Sequence, residues 1–102
     1  MTLLFVYGTL MRGGRYHELL ASARFCGEAR TPPCFRLVEL GEYPALVSGD
    51  ACVSGELFQV DDETLAAIDE LEGHPDLYER RRILLEGGIE AEAYFMPRML
   101  AL

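Results

Sequence analysis

Hydrophobic and polar positions along the chain predict many short strands and one clear helix. Residues 3–7 form an unbroken apolar run, which is typical of a central strand covered on both faces. Residues 52–60 alternate in the manner of a half-buried strand. Other segments predict further strands at residues 24–30, 34–40, 45–47, 78–85 and 89–96. The last two of these would form a hairpin around residues 86–88.

The predicted helix covers residues 61–73. Asp61 or Asp62 can cap its start, because a side-chain oxygen there accepts hydrogen bonds from the free backbone N–H groups. Gly73 follows the last turn, where a left-handed residue commonly closes a helix. A second, shorter helical piece is predicted at residues 15–21, after a pair of glycines.

One acidic residue lies on the apolar face of the main helix. The apolar side chains of that face recur at helical spacing: Leu65, Ile68 and Leu71. At about 100° per residue, Glu72 lies roughly 40° from Ile68 and about 20° from Leu65, whereas Glu63 and Glu70 point away. Burial and the negative end of the helix dipole would both raise the pKa of Glu72, to roughly 6–7, which suits a general base. The alternative is a solvated glutamate on a frayed last turn.

This pattern predicts an α+β fold in one domain, residues 1–102. Most links between strands are too short for crossovers, so a doubly wound parallel sheet is not expected. We expect a small mixed, mostly antiparallel β-barrel with two short packed helices, because closure would remove exposed strand edges. Residues 97–102 carry no clear signal and are expected to form a loose tail.

Composition narrows the classes of partner. Half of the 102 residues are hydrophobic and a quarter are charged, as in a packed globular protein. The net charge of -8 disfavours nucleic acid and anionic membranes as partners. The N-terminus has neither a basic lead nor a long apolar run, so we expect no signal peptide or membrane span and a cytoplasmic location. A monomer or weak homodimer is expected.

Cysteine and histidine positions suggest no metal site and no catalytic pair. The three cysteines, Cys26, Cys34 and Cys52, lack metal-ligand spacing and are expected to be buried or half-buried thiols in a reducing compartment. His17 and His74 are expected at the surface, and nothing pairs them at metal-ligand spacing.

The exit of the first strand is a candidate binding turn. Gly8 lets the chain turn sharply and lets a ligand approach the backbone, and Gly13-Gly14 breaks the chain again before the short helical piece. A strand, a glycine, free N–H groups and a helix can form a cradle for a carboxylate or an oxyanion. A tight turn with no ligand is the alternative.

Three tyrosines and a second acid complete the candidates. Tyr7 could line a pocket at the strand end or could be a core residue with its hydroxyl at the rim. Tyr43 and Tyr78 each follow a turn and could contact a ligand. Asp69, about 40° from Leu65 on the helical wheel, is a second acid–base candidate, with a solvated flank position as the alternative.

Several motifs, taken in order, resemble those of one known family. They are Val6-Tyr7-Gly8-Thr9-Leu10 followed by Gly13, then Tyr43-Pro44-Ala45-Leu46, then Val53-Ser54-Gly55-Glu56-Leu57-Phe58-Gln59-Val60, and finally Ile68-Asp69-Glu70-Leu71-Glu72-Gly73 with Tyr78 and Arg80 after it. Together they resemble the gamma-glutamylcyclotransferase-like (AIG2-like) family over about residues 3–96.

This resemblance implies a mixed barrel with packed helices and an enzyme of the acyltransferase class. The implied reaction cyclises a gamma-glutamyl amine or gamma-glutamyl amino acid to 5-oxoproline and frees the amine. It implies that Glu72 is the acid–base residue and that Tyr7, Gly8, Thr9 and Leu10 hold the glutamyl end of the substrate. The substrate's own α-amine is the nucleophile, so no metal or organic cofactor is required.

Two alternatives stay open at this point. The chain could be a non-catalytic small-molecule-binding or interaction domain with the same fold. It could also be a cyclotransferase that removes a gamma-glutamyl protecting group from a biosynthetic intermediate. Likeness of fold does not identify the amine that is released.

Overall fold

Seven strands, one α-helix and two short 3₁₀ helices form the part of the chain that the computed structural model describes, residues 1–41 and 43–97. The strands are β1 Thr2–Val6, β2 Arg24–Arg30, β3 Phe35–Leu40, β4 Tyr43–Ser48, β5 Ser54–Val60, β6 Glu79–Leu84 and β7 Glu90–Phe95. The α-helix, α1, is Asp62–Glu72, and the 3₁₀ helices are His17–Leu20 and Glu86–Gly88. The side chains of Leu40 and Tyr43 lie outside the described part of the structure.

The unbroken apolar run occupies the centre of the main sheet. Five strands pair in the order β2-β5-β1-β7-β6, and β3 and β4 form a separate two-stranded sheet. β1 is antiparallel to β5 and parallel to β7, and β6 and β7 form the predicted hairpin. The predicted α+β class and mixed, mostly antiparallel pairing are confirmed.

The predicted closure into a β-barrel is wrong. β2 and β6 are the outer strands of the five-stranded sheet, and they are not paired with each other. The prediction assumed that exposed edges must be removed, but these edges are protected in other ways. β2 has a register irregularity between Phe25 and Gly27, and β6 carries Arg81 and Arg82 as exposed residues. Bulges and charged side chains both discourage edge-to-edge association.

Apolar side chains pack on both faces of β1, which explains its uninterrupted hydrophobicity. Leu4 and Val6 are buried in the core cluster that also includes Leu65 and Ile68 of α1. Phe5 points the other way, into a second cluster with residues of β5, β6 and β7. Because successive side chains of a strand alternate between faces, both sets of positions must be apolar.

The helix α1 begins and ends as the sequence predicts. The side chain of Asp61 accepts a hydrogen bond from the Thr64 N–H (2.7 Å), which caps the N-terminus. Gly73 adopts the left-handed conformation at the C-terminus, with φ of 68°. The second predicted helical piece is a 3₁₀ helix of four residues rather than an α-helix.

The expectation of buried or half-buried thiols is also wrong. Cys26, Cys34 and Cys52 are exposed and free. Cys26 lies on the outer strand β2 and Cys34 lies just before β3, so neither enters the core. Within the described ranges, no helix has the length and apolar character needed to cross a membrane.

Candidate active site

A pocket lies between the exit of β1 and the end of α1. One wall is the turn that follows β1, with Tyr7, Gly8, Thr9 and Leu10. The residues that complete it come from separate parts of the chain: Val6, Pro44, Glu72, Tyr78 and Tyr94. The fold therefore brings together the two segments that the sequence singled out.

Glu72 lines this pocket as the last residue of α1. Its side chain is half-buried, whereas Glu63 and Glu70 are exposed on the opposite side of the helix. Burial raises the pKa of the Glu72 carboxyl from 4.5 to about 7, because the charged form loses part of its hydration. The Gly73 N–H donates to the main-chain oxygen of Glu70 (3.2 Å), and the Tyr78 N–H donates to the main-chain oxygen of Glu72 (3.3 Å). These hydrogen bonds close the last turn of the helix.

The turn after β1 is held from several directions. The N–H and guanidinium of Arg12 donate to the carboxylate of Glu56 (2.8 and 3.1 Å), which is buried in β5. The Tyr16 N–H donates to the Thr9 oxygen (2.9 Å). The ring nitrogen Nδ1 of His17, which is half-buried rather than at the surface, donates to the Leu10 oxygen (2.9 Å). These contacts hold the backbone that lines the pocket together with Glu72.

Gly8 is required at its position because of Pro44. A Cβ built on Gly8 would lie 2.6 Å from Cγ of Pro44, well inside van der Waals contact. Pro44 is itself held at the site, since its main-chain oxygen accepts a hydrogen bond from the Tyr78 hydroxyl (3.1 Å). The glycine thus allows β4 and the turn to form adjacent walls of one pocket.

Replacing Gly8 with alanine should therefore damage activity more than stability. We expect kcat/KM to fall roughly 10- to 100-fold, because a displaced wall misplaces the bound substrate. Pro44→Ala removes the Cγ and Cδ atoms that the new methyl group would meet. Gly8→Ala should then cost much less activity in the Pro44→Ala background than in the native protein. Equal losses in the two backgrounds would contradict this steric explanation.

Tyr7 and Tyr78 line the pocket with their hydroxyls engaged. The Tyr7 hydroxyl donates to the main-chain oxygen of Tyr94 (2.6 Å) and accepts from the Leu46 N–H (3.4 Å), which joins three strands. Burial, and next the charge of Glu72, raise the pKa of Tyr7. Tyr78 is buried. The side chain of Tyr43 lies outside the described residues, so its predicted ligand contact stays a prediction.

Asp69 is not among the residues that line the pocket. Its carboxylate accepts a hydrogen bond from the Tyr94 hydroxyl (2.6 Å) and lies 3.4 Å from Nε of Arg80. Burial and this hydrogen bond raise the pKa of Tyr94. Asp69 thus contacts Tyr94, which lines the pocket, without lining the pocket itself, whereas Glu72 does line it.

Tyr94 is a pocket residue that sequence reasoning missed. It is buried on β7, and the parallel pairing of β7 with β1 brings it beside the candidate turn. Alternation along residues 89–96 predicts that one face of this strand is buried. It does not identify β1 as the neighbour.

His74 was expected at the surface, but its ring is half-buried and accepts a hydrogen bond from the Arg80 N–H (2.9 Å).

The described residues contain no group of three histidine, cysteine, aspartate or glutamate side chains arranged to hold a metal ion. The pocket offers one carboxyl group with a pKa near neutrality and a turn of backbone that lines the same space.

Comparison with known proteins identifies the family. Residues 4–101 match the family described as "Gamma-glutamyl cyclotransferase, AIG2-like". A Vibrio cholerae protein provisionally named a gamma-glutamylcyclotransferase is 44% identical over 81 residues, covering 79% of this chain and 70% of its own. The gamma-glutamylaminecyclotransferase of Rattus norvegicus is 37% identical over 90 residues, covering 78% of this chain and 60% of its own.

A solved structure agrees with these sequence matches. The AIG2-like protein from Mus musculus superposes with a TM-score of 0.86 at 30% identity, covering 94% of this chain and 77% of its own. The chain therefore belongs to the gamma-glutamyl cyclotransferase, AIG2-like family and is a gamma-glutamylcyclotransferase-type enzyme.

Proposed function

We propose that this protein converts gamma-glutamyl amides to 5-oxoproline and a free amine, with Glu72 as the acid–base residue. The observation that carries this proposal is the half-buried carboxyl of Glu72, with a pKa of about 7, which lines one pocket together with residues 8–10. The names of the relatives support the same reaction class.

The first step is attack of the substrate's α-amine on its own γ-carbonyl carbon. Ionised Glu72 attracts the α-ammonium group and takes a proton from it, which frees the nitrogen lone pair. The tether already joins nucleophile and carbonyl, so little further entropy is lost when the ring closes. No side chain of the protein needs to act as a nucleophile.

The second step is breakdown of the tetrahedral intermediate. The ring nitrogen releases its surplus proton to solvent, the bond between the former γ-carbonyl carbon and the amide nitrogen breaks, and protonated Glu72 returns its proton to the departing amine. The products are 5-oxoproline and the amine, with no water consumed. A carboxyl with a pKa near neutral pH is suited to both transfers.

Negative charge on the γ-oxygen needs fixed hydrogen-bond donors. We assign this role to backbone N–H groups of Gly8, Thr9 and Leu10, because the turn that carries them lines the same pocket as Glu72. The contacts of Arg12 with Glu56 and of His17 with Leu10 hold this turn in place before substrate binds. Tyr7 and Tyr78 form the walls around the glutamyl chain, and Tyr43 stays a candidate for the same role.

The reaction is tested by measuring both products from a panel of gamma-glutamyl amides. We expect 5-oxoproline and amine in equal amounts and no glutamate, because a hydrolase would release glutamate instead. Matched substrates with an acetylated α-amine should give neither product, since their nucleophile is blocked. Absence of 5-oxoproline across the panel would contradict the proposal and would favour a non-catalytic binding domain.

A further inference from the structure

A second pocket adjoins the first at Glu72. Its cavity volume is about 240 Å³. Thr9, Glu72 and Tyr78 line both pockets and form the boundary between them. The remaining walls of the second pocket are formed by Tyr16, Leu71, Leu77 and Met96.

The walls of this second pocket are apolar and partly open to solvent. Leu77 is 55% exposed and Leu71 is 39% exposed, although both are large hydrophobic residues. Among the described lining residues, Glu72 is the single one that carries a formal charge, and it lies at the boundary with the first pocket. A concave apolar surface with one polar end is typical of a ligand site.

Local backbone structure holds Leu77 over the end of α1. The Leu77 N–H donates to the Gly73 oxygen (2.8 Å), and a Cβ built on Gly73 would lie 3.1 Å from Cβ of Leu77. The left-handed Gly73 thus lets the chain fold back so that Leu77 lies near Leu71 in the same pocket wall. The apolar wall is therefore part of the turn that closes the helix.

We propose that this second pocket binds the side chain of the departing amine and selects gamma-glutamyl amides of apolar alkyl or arylalkyl amines. This inference rests on the proposed function. If the glutamyl chain fills the first pocket, the scissile amide lies at Glu72, and the amine substituent extends across the boundary into the second. A further charged group on the amine would lose hydration in the second pocket. Among the described residues that line it, Glu72 alone could offer such a group a charged partner.

The test compares gamma-glutamyl amides of methylamine, propylamine, pentylamine and benzylamine. A fully buried methylene contributes roughly a fourfold preference, so a half-buried one should contribute about twofold. We therefore expect kcat/KM for the pentylamide, which has four more methylenes, to exceed that for the methylamide by roughly 15-fold. A gamma-glutamyl conjugate of glycine should be a poorer substrate than the propylamide, because its carboxylate enters an apolar pocket.

A matched pair of variants locates the preference. Leu77→Asn should reduce the ratio of pentylamide to methylamide kcat/KM to about threefold or less. Leu84 is 56% exposed, similar to Leu77, but it lines neither pocket. Leu84→Asn should therefore retain the native ratio. A native ratio near one, or equal ratios in both variants, would overturn the assignment.

Binding of compounds that cannot cyclise separates this inference from the proposed function. The N-alkyl monoamides of glutaric acid lack the α-amine, so calorimetry with the native protein reports binding alone. Affinity should rise from methyl to pentyl and should rise less in Leu77→Asn. If affinity rises along the series but no gamma-glutamyl amide yields 5-oxoproline, the result would support the second pocket and contradict the reaction. If gamma-glutamyl amides are turned over but affinity does not change from the methyl to the pentyl compound, the assignment of the second pocket would be contradicted and the reaction would stand. Concentration-dependent association of the chain would then assign this surface to contact between copies.

Discussion

Glu72→Gln should lower kcat/KM for 5-oxoproline release by roughly a thousandfold. Glutamine retains the size of the side chain and its hydrogen-bonding capacity but cannot take a proton from the α-ammonium group or return one to the departing amine. General acid–base catalysis typically contributes about 10²- to 10⁴-fold, and here one residue would serve both steps. Steady-state rates with a gamma-glutamyl alkylamide measure the effect directly.

Glu70 supplies the matched control on the same helix. It is two residues from Glu72 but exposed, and it lines neither pocket. Glu70→Gln removes the same formal charge and should change kcat/KM by less than about twofold, because an exposed charge is well screened. If Glu72→Gln kept more than a tenth of native activity, the acid–base role would be wrong.

Glu72→Gln should also make the folded protein more stable at alkaline pH. In the unfolded chain the Glu72 carboxyl ionises with its ordinary pKa of 4.5, whereas burial raises its pKa to about 7 in the folded state. As pH rises from 4.5 to 7, the group ionises more readily in the unfolded chain, so the free energy of unfolding falls. Above pH 7 the destabilisation is complete, and below pH 4.5 it vanishes.

One pKa unit corresponds to about 1.4 kcal/mol, so this rise sets an upper limit of roughly 3 kcal/mol. Partial solvation of the half-buried side chain reduces the effect to about 2 kcal/mol. Urea unfolding should therefore give Glu72→Gln a higher free energy of unfolding than the native protein at pH 8, and nearly the same value at pH 4. A difference that did not change with pH would contradict the assigned pKa. Glu70→Gln should show no comparable gain.

The opposite signs of these two effects follow from one cause. Holding a carboxyl partly out of water disfavours its charged form, which lowers stability at neutral pH and above. The same burial brings its pKa into the range where proton transfer in both directions is efficient. A residue that costs stability and supplies chemistry is a common compromise in enzymes.

Local sequence signals were enough to predict the helix and the central strand. The capping oxygen of Asp61, the left-handed Gly73 and the spacing of Leu65 and Ile68 all act within a few residues of one another. Glu72 could be assigned to the buried side for the same reason, since helical periodicity alone fixes its direction. The exposed Leu71 is an exception, and it lies on the second pocket rather than in the core.

Features that depend on distant pairing could not be predicted. Tyr94 reaches the pocket because β7 lies parallel to β1, and nothing within residues 89–96 specifies that neighbour. A general need to cover strand edges predicts barrel closure, but this chain protects the edges of β2 and β6 locally instead. The number and spacing of the cysteines predict free thiols but not their exposure, since neither reveals that Cys26 lies on the outer strand β2.

The pH dependence of kcat/KM for native protein with a gamma-glutamyl alkylamide tests the central claim most directly. This quantity reports the ionisation of essential groups in the free enzyme and free substrate. The α-ammonium of the substrate titrates above neutrality, because the adjacent α-carboxylate favours its charged form. If ionised Glu72 accepts the first proton, kcat/KM should rise tenfold per pH unit below an apparent pKa of about 7 and level off above it. A value of kcat/KM that is constant between about pH 5.5 and 8 would contradict the role of this carboxyl.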